Sequence, residues 1–271
     1  VPGSRRKLLS SAADLEVYAS LPVETDTRRL GAALEAQLPQ LRRERAEFPE
    51  CRGAVMLDLG EPVGTLYHSA DLEEYAVWSL THADLVTGLL DRLMERCLTI
   101  YRWCLERDLA DVYFLVGSEL ASPPLVSRAT FQGWVVPYAR RLIDLVHGYG
   151  KRVIQHYHGQ IAAILPDFLT MGADGLHTVE APPTGDCTHT RAYEVVGDAL
   201  TLVGNLQYDE LRALEPAQMS RRVHEILDEA RGRRLILSPT AGPYEEHPDP
   251  RVFANYRAFL EAARGYGPWP R

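Results

Sequence analysis

From residue 54 onward, short apolar runs alternate with longer stretches in which apolar residues recur at helical spacing. AVMLDLG (54–60) is an apolar run closed by turn residues and is predicted as a first strand. GEPVG then leads into an amphipathic helix over about 70–107, with an interruption. DVYFLVG (111–117) is a second strand, followed by a loop containing Pro123 and Pro124. A helix is predicted from about 128, with Pro137 at an early kink and Gly148 or Gly150 as its stop. KRVIQHYHG (151–159) is a third strand and IAAILPDFLTMG a helix. DGLHTVEA (174–181) and LTLVGNLQ (200–207) are the fourth and fifth strands. PAQMSRRVHEILDEARG is helical, with Pro216 tolerated in its first turn. RRLILSPTAG (233–242) is a sixth strand, and RVFANYRAFLEAARGYG closes the chain as a helix. Residues 1–50 differ: they read as a mostly polar helical or irregular segment without a clear buried strand, packing on a main domain of residues 51–271.

Strands alternating with helices imply parallel βα units, and near-continuous apolar strands imply a sheet covered on both sides. An open doubly wound sheet and a (β/α)8 barrel both fit. No GxGxxG follows the first strand and no GxxxxGK[ST] occurs, which lowers nucleotide binding. The chain of 271 residues is 46% hydrophobic and 24% charged, ordinary for a globular protein with a sizeable core. Its net charge of −8 argues against a nucleic-acid or anionic-membrane partner, since either needs a basic patch. No apolar run approaches the ~20 residues of a membrane span, and no signal peptide is visible, so a cytoplasmic location is expected. None of the four cysteines forms a CxxC pair. Cys97 and Cys104, two helical turns apart, are expected as small buried hydrophobes.

Candidate chemistry comes from where the polar residues fall. The second strand ends in Ser118 and Glu119, and the third in His156 and His158. Alternation along a strand would put those two histidines on one face. The fourth strand carries His177 and Glu180, the fifth ends in Asn205 and Gln207, and the sixth in Ser238 and Thr240, with Tyr244 just beyond. In a parallel α/β sheet the C-terminal strand ends form the ligand-binding rim. Helix caps and loop hydrogen bonds are the plain alternative for any one of these groups. His147 and His224 lie in predicted helices, and His189 in a loop.

The run from DVYFLVGSELASPP through KRVIQHYHGQ to DGLHTVEA, followed by LVGNLQ, LEPAQMSRRVHEILDEA, LILSPTAGP and FLEAARGYG, resembles the uroporphyrinogen decarboxylase superfamily over about residues 54–268. That superfamily includes the decarboxylase and the cobalamin-linked methyltransferases. The resemblance implies an α/β fold of (β/α)8 TIM-barrel type, with two further strands before the first one counted here. Those two are apparently lacking, which would leave sheet edges open to association, as in a homodimer.

In the methyltransferase branch, a zinc ion held by His-x-Cys and a later Cys activates a thiol. Here the corresponding positions are His156-x-His158 and Ala241, so a metal would need a carboxylate, Glu119 or Glu180, beside the two histidines. His156, His158 and Glu119 are the resulting metal candidates. In the decarboxylase branch, arginines hold the substrate's acidic side chains, and this rim reads neutral to acidic instead. The expected function is therefore methyl transfer on a small substrate, with a corrinoid carried by a partner protein. His156, His158, Glu119 and Glu180 are its catalytic residues, and His177, Asn205, Gln207, Ser238, Thr240 and Tyr244 its substrate contacts. The alternatives are a metal-free decarboxylase or lyase using the histidines as acid and base, and a non-catalytic ligand-binding protein.

Overall fold

A computed structural model describes residues 7–47, 53–242 and 245–267. The chain divides into two compact units: residues 1–156 with 170–173, and residues 157–169 with 174–271. No helix among the described residues is long and apolar enough to cross a membrane.

The first unit opens with three helices, α1 (Ala12–Ser20), α2 (Thr27–Glu35) and α3 (Leu38–Glu47). Ser11 and Asp26 cap the first two through their side-chain oxygens. No extended strand lies among residues 7–47, as the polar pattern predicts. Strand β1 (Met56–Gly60) runs directly into α4 (Pro62–Ser69), so GEPVG is a helix start and not a loop. Pro62 occupies the first helical position, where its missing N–H costs nothing. The long predicted helix divides at His82 into α5 (Leu72–Thr81) and α6 (Ala83–Glu106). Strand β2 (Val112–Val116) follows, then α7 (Arg128–Trp134), α8 (Val136–Gly148) and β3 (Arg152–His156). The break at Val135 stands two residues before Pro137, which has no N–H to donate to the preceding turn.

Strands β1, β2 and β3 pair in parallel, with Leu59 opposite Leu115 and Leu115 opposite Gln155. Beneath them the apolar face of α6 buries Leu89, Leu90, Met94 and Tyr101. The Tyr101 hydroxyl donates to the carbonyls of Leu59 and Gly60 at 3.2 and 3.3 Å, tying that helix to the end of β1. Cys104 is buried and Cys97 half-buried, and burial pushes their thiols up to about 11 and about 12, consistent with inert packing residues. Cys51 lies outside the described residues.

In the second unit, β4 (Gly175–His177), β5 (Thr201–Leu206) and β6 (Leu235–Pro239) also pair in parallel. Around them lie α10 (His189–Val196), α11 (Tyr208–Ala213), α12 (Pro216–Glu229) and α13 (Pro250–Gly265), while α9 (Leu165–Met171) begins in this unit. Leu206, Leu211, Met219, Val223, Ile226 and Phe259 form one buried cluster that packs the last helices on β5. Six parallel strands alternating with helices thus occur in the predicted order. Three stop well before the C-terminal end of their predicted runs. β3 ends at His156, which leaves His158 beyond it, and β4 ends at His177, which leaves Glu180 in the following loop. β6 ends at Pro239, so Thr240 is also past its strand. His189 begins a helix and is fully buried, where a loop was predicted.

Candidate functional site

The two units each bring a histidine and a glutamate together. In the first, the ends of β2 and β3 place Glu119 Oε1 at 3.4 Å from His156 Nε2. The Tyr67 hydroxyl of α4 donates to the other oxygen, Glu119 Oε2, at 3.0 Å. The His156 ring lies 5.2 Å from the Phe114 ring. Glu61, at the end of β1, is only 2% exposed. Burial pushes its carboxyl up to about 8; the Ser118 hydroxyl pulls it down and the charge of Glu119 adds to the rise. Glu61 is therefore a neutral acid at pH 7. Close backbone packing makes this arrangement: a Cβ on Gly64 would lie 2.4 Å from the Gly117 carbonyl oxygen. Gly117 itself turns at φ +99°, where β-carbons are disfavoured. The strand-end pattern did not single out Glu61, because the residues after β1 looked like a turn. Its signal was present: a carboxylate directly after an apolar strand, like Glu119 after β2.

In the second unit His158 Nδ1 lies 3.2 Å from Glu180 Oε1. Glu180 is 3% exposed, and its Oε2 accepts the Gly159 N–H at 2.7 Å. Burial alone would raise this carboxyl. The hydrogen bonds from His158 and Gly159, the His158 charge and the Thr240 hydroxyl together outweigh burial and hold it below its ordinary value. His177, whose ring is 6.3 Å from that of His158, is pushed down to about 4, mainly by burial, and so is neutral at pH 7.

The loop after Glu180 locks this geometry. A Cβ on Gly185 would lie 2.3 Å from the Glu180 carbonyl oxygen and 2.6 Å from that of Gly159. Asp186 accepts the Ala162 N–H at 3.0 Å, which ties the turn after His158 to the same loop. Gln207 donates to the Ala181 carbonyl at 2.8 Å and accepts from Thr184.

A cleft of about 380 Å³ opens in the second unit beside the His158–Glu180 pair. Of the predicted site residues, His158, Glu180, Gln207 and Thr240 line it. Gly159, Thr184, Tyr208, Asp209 and Ala241 complete the lining. His177, Asn205 and Ser238 are not part of that lining. Asn205 is 2% exposed on β5, and the Ser238 hydroxyl donates to the Pro239 carbonyl at 2.9 Å. Tyr244 lies outside the described residues. His156 and Glu119 belong to the first unit and pair with each other. Among the described residues no group of three His, Cys, Asp or Glu side chains stands close enough together to hold a metal ion.

Each pair can hold and pass on a proton, because the carboxylate fixes the orientation of the imidazole it faces. The cleft adds a place of small-molecule size beside one of them.

No curated protein matches the chain. A solved structure of a methyltransferase from Methanosarcina mazei is similar, with a TM-score of 0.67 at 21% sequence identity. The similarity covers 85% of this chain, and this chain spans 65% of the length of the methyltransferase. The family model for uroporphyrinogen decarboxylase (URO-D) matches residues 56–266. Strand ends carrying proton-handling groups and a match over most of the sequence lead to one assignment: this chain belongs to the uroporphyrinogen decarboxylase family.

Proposed function

We propose that the cleft of the second unit is a small-substrate site for methyl-group transfer, in which His158, held by Glu180, moves a proton at the departing heteroatom. The observation that carries this reading is the His158–Glu180 pair at 3.2 Å in the wall of the cleft. The family assignment and the similarity to a methyltransferase support it. The substrate's methyl–oxygen bond breaks, and the methyl carbon passes to the acceptor. The oxygen keeps the bonding pair and takes the proton from protonated His158. The Glu180 carboxylate stabilises that imidazolium beforehand, and the Gly159 N–H keeps the carboxylate ionised and in place. His158 then regains a proton from solvent.

A corrinoid carried by a partner protein is the acceptor that this reading expects, and it would supply the metal centre that receives the methyl group. The cleft's volume suits the small substrate, which leaves the corrinoid to the partner. The Tyr67–Glu119–His156 chain of the first unit is a second proton-handling group of the same kind.

The test is methyl transfer from methyl ethers and methylated amines to reduced free cobalamin, followed in the corrinoid's visible spectrum. The full chain should give the spectral change, and His158→Ala should lose it. No change with any donor, together with release of carbon dioxide from uroporphyrinogen, would replace methyl transfer by decarboxylation.

A further inference from the structure

The cleft's charged groups also say what kind of ligand enters it. Its charged lining consists of two carboxylates, Glu180 and Asp209, and one imidazole, His158, which already faces Glu180. Among the described residues no Lys or Arg is part of that lining. Just behind the wall, Glu245 accepts the Tyr208 hydroxyl, adding a third carboxylate. The Arg212 guanidinium lies 3.8 Å from Asp209 and 3.4 Å from Glu245, so one cation is shared by two carboxylates. Glu210 does not change this balance, since Arg222 matches it at 2.7 Å.

An anionic ligand would leave water for a wall that offers no free cation, and that desolvation would go uncompensated. The neutral hydrogen-bonding groups are no substitute: the Gln207 amide is engaged by Ala181 and Thr184. Asp209, by contrast, has a side chain 84% exposed, and among the described residues its one ion pair is the distant Arg212 contact. It lines the cleft together with Tyr208, and an ammonium group over an aromatic ring gains further attraction.

We propose that the ligand of this cleft is a small organic ammonium ion, anchored by Asp209 beside the Tyr208 ring, with its reacting end toward His158. This rests on the cleft being the substrate site proposed above, but it concerns charge and not the group transferred.

Three probes of nearly one shape isolate that charge: choline, its uncharged carbon analogue 3,3-dimethylbutan-1-ol, and the anion 3,3-dimethylbutanoate. Titration calorimetry on the full chain should show choline binding about tenfold more tightly than the alcohol, with the carboxylate weakest of the three. Asp209→Asn should bring choline to the affinity of the alcohol and leave the alcohol unchanged. Equal binding of choline and the alcohol, preferred binding of the carboxylate, no binding of any probe, or an unaltered choline affinity in Asp209→Asn would each overturn the proposal. Choline selectivity in a protein that transfers no methyl group would sink the methyl-transfer reading and leave this one standing.

Discussion

Glu61 and Glu180 are almost equally buried, at 2% and 3% exposed, and both follow parallel strands. Their carboxyls nevertheless move in opposite directions. Glu61 sits among packed side chains, its Oε2 has no hydrogen-bond partner among the described residues, and its nearest charge is another carboxylate, Glu119. Glu180 receives His158, the Gly159 N–H and the Thr240 hydroxyl. Burial alone therefore does not set the charge of a carboxyl in this protein. Donors aimed at the oxygens do, because each one replaces the water that burial removed. The first unit keeps an uncharged acid, and the second keeps an anion that can hold an imidazolium.

Removing the anion should have the largest effect. Glu180→Gln keeps the size of the side chain but takes the charge from opposite His158. Methyl transfer should fall about a hundredfold or more in kcat, with the circular dichroism spectrum retained. An unchanged kcat would remove the pair from the mechanism.

The pH dependence of stability should separate the two carboxyls next. Glu61 has a folded pKa of about 8, above the ordinary 4.5, so the folded state holds its proton more tightly. Its contribution is fully present below pH 4.5 and is lost as pH rises toward 8, by something on the order of a few kcal/mol. Glu61→Gln should flatten that alkaline loss, read as hydrogen exchange in β1 and β2 across the pH range. Glu180, held low, contributes stability above the ordinary carboxylate pKa that is lost as pH falls through its folded value. The buried His189, pushed down to about 4 mainly by burial, adds to the same acid-side loss from its ordinary 6.5 downward. The Glu61 contribution should thus be lost toward alkali and the Glu180 contribution toward acid; a Glu61→Gln variant with an unchanged alkaline profile would contradict the contrast.

Backbone contacts offer a matched pair of smaller changes. Gly185→Ala and Gly64→Ala each drive a methyl group into a carbonyl oxygen, at 2.3 and 2.4 Å, and each should cost about 1–3 kcal/mol in denaturant unfolding. Only Gly185→Ala displaces the loop that holds Gly159 and Glu180, so it alone should weaken ligand binding to the second unit's cleft. Tyr67→Phe should have the smallest effect, about 1 kcal/mol, through the lost hydrogen bond to Glu119. A loss well above that would show Tyr67 supporting more than one oxygen of the first unit's group.

Much of the architecture was legible before any coordinates. Apolar runs and helical spacing report local geometry, so all six strands and the longer helices could be read, while the short α4, α10 and α11 could not. The errors fell where local signals conflict. GEPVG has turn composition, yet Pro62 suits the first turn of a helix. HYHG continues an alternating pattern, yet β3 stops at His156, one residue past its last registered pair with β2. Polar residues at strand ends pointed to His158, Glu180, Gln207 and Thr240, all of which line the cleft. The same pattern passed over Glu61, Thr184, Tyr208 and Asp209.

Sequence alone determined that His156 and His158 stand at a strand end with acids on neighbouring strands, because side-chain period and element order are written locally. Only the tertiary structure decided that His156 takes Glu119 while His158 takes Glu180, and that one buried acid is neutral and the other charged. Those outcomes depend on which donors long-range packing delivers to each oxygen, over sequence separations that no local pattern encodes.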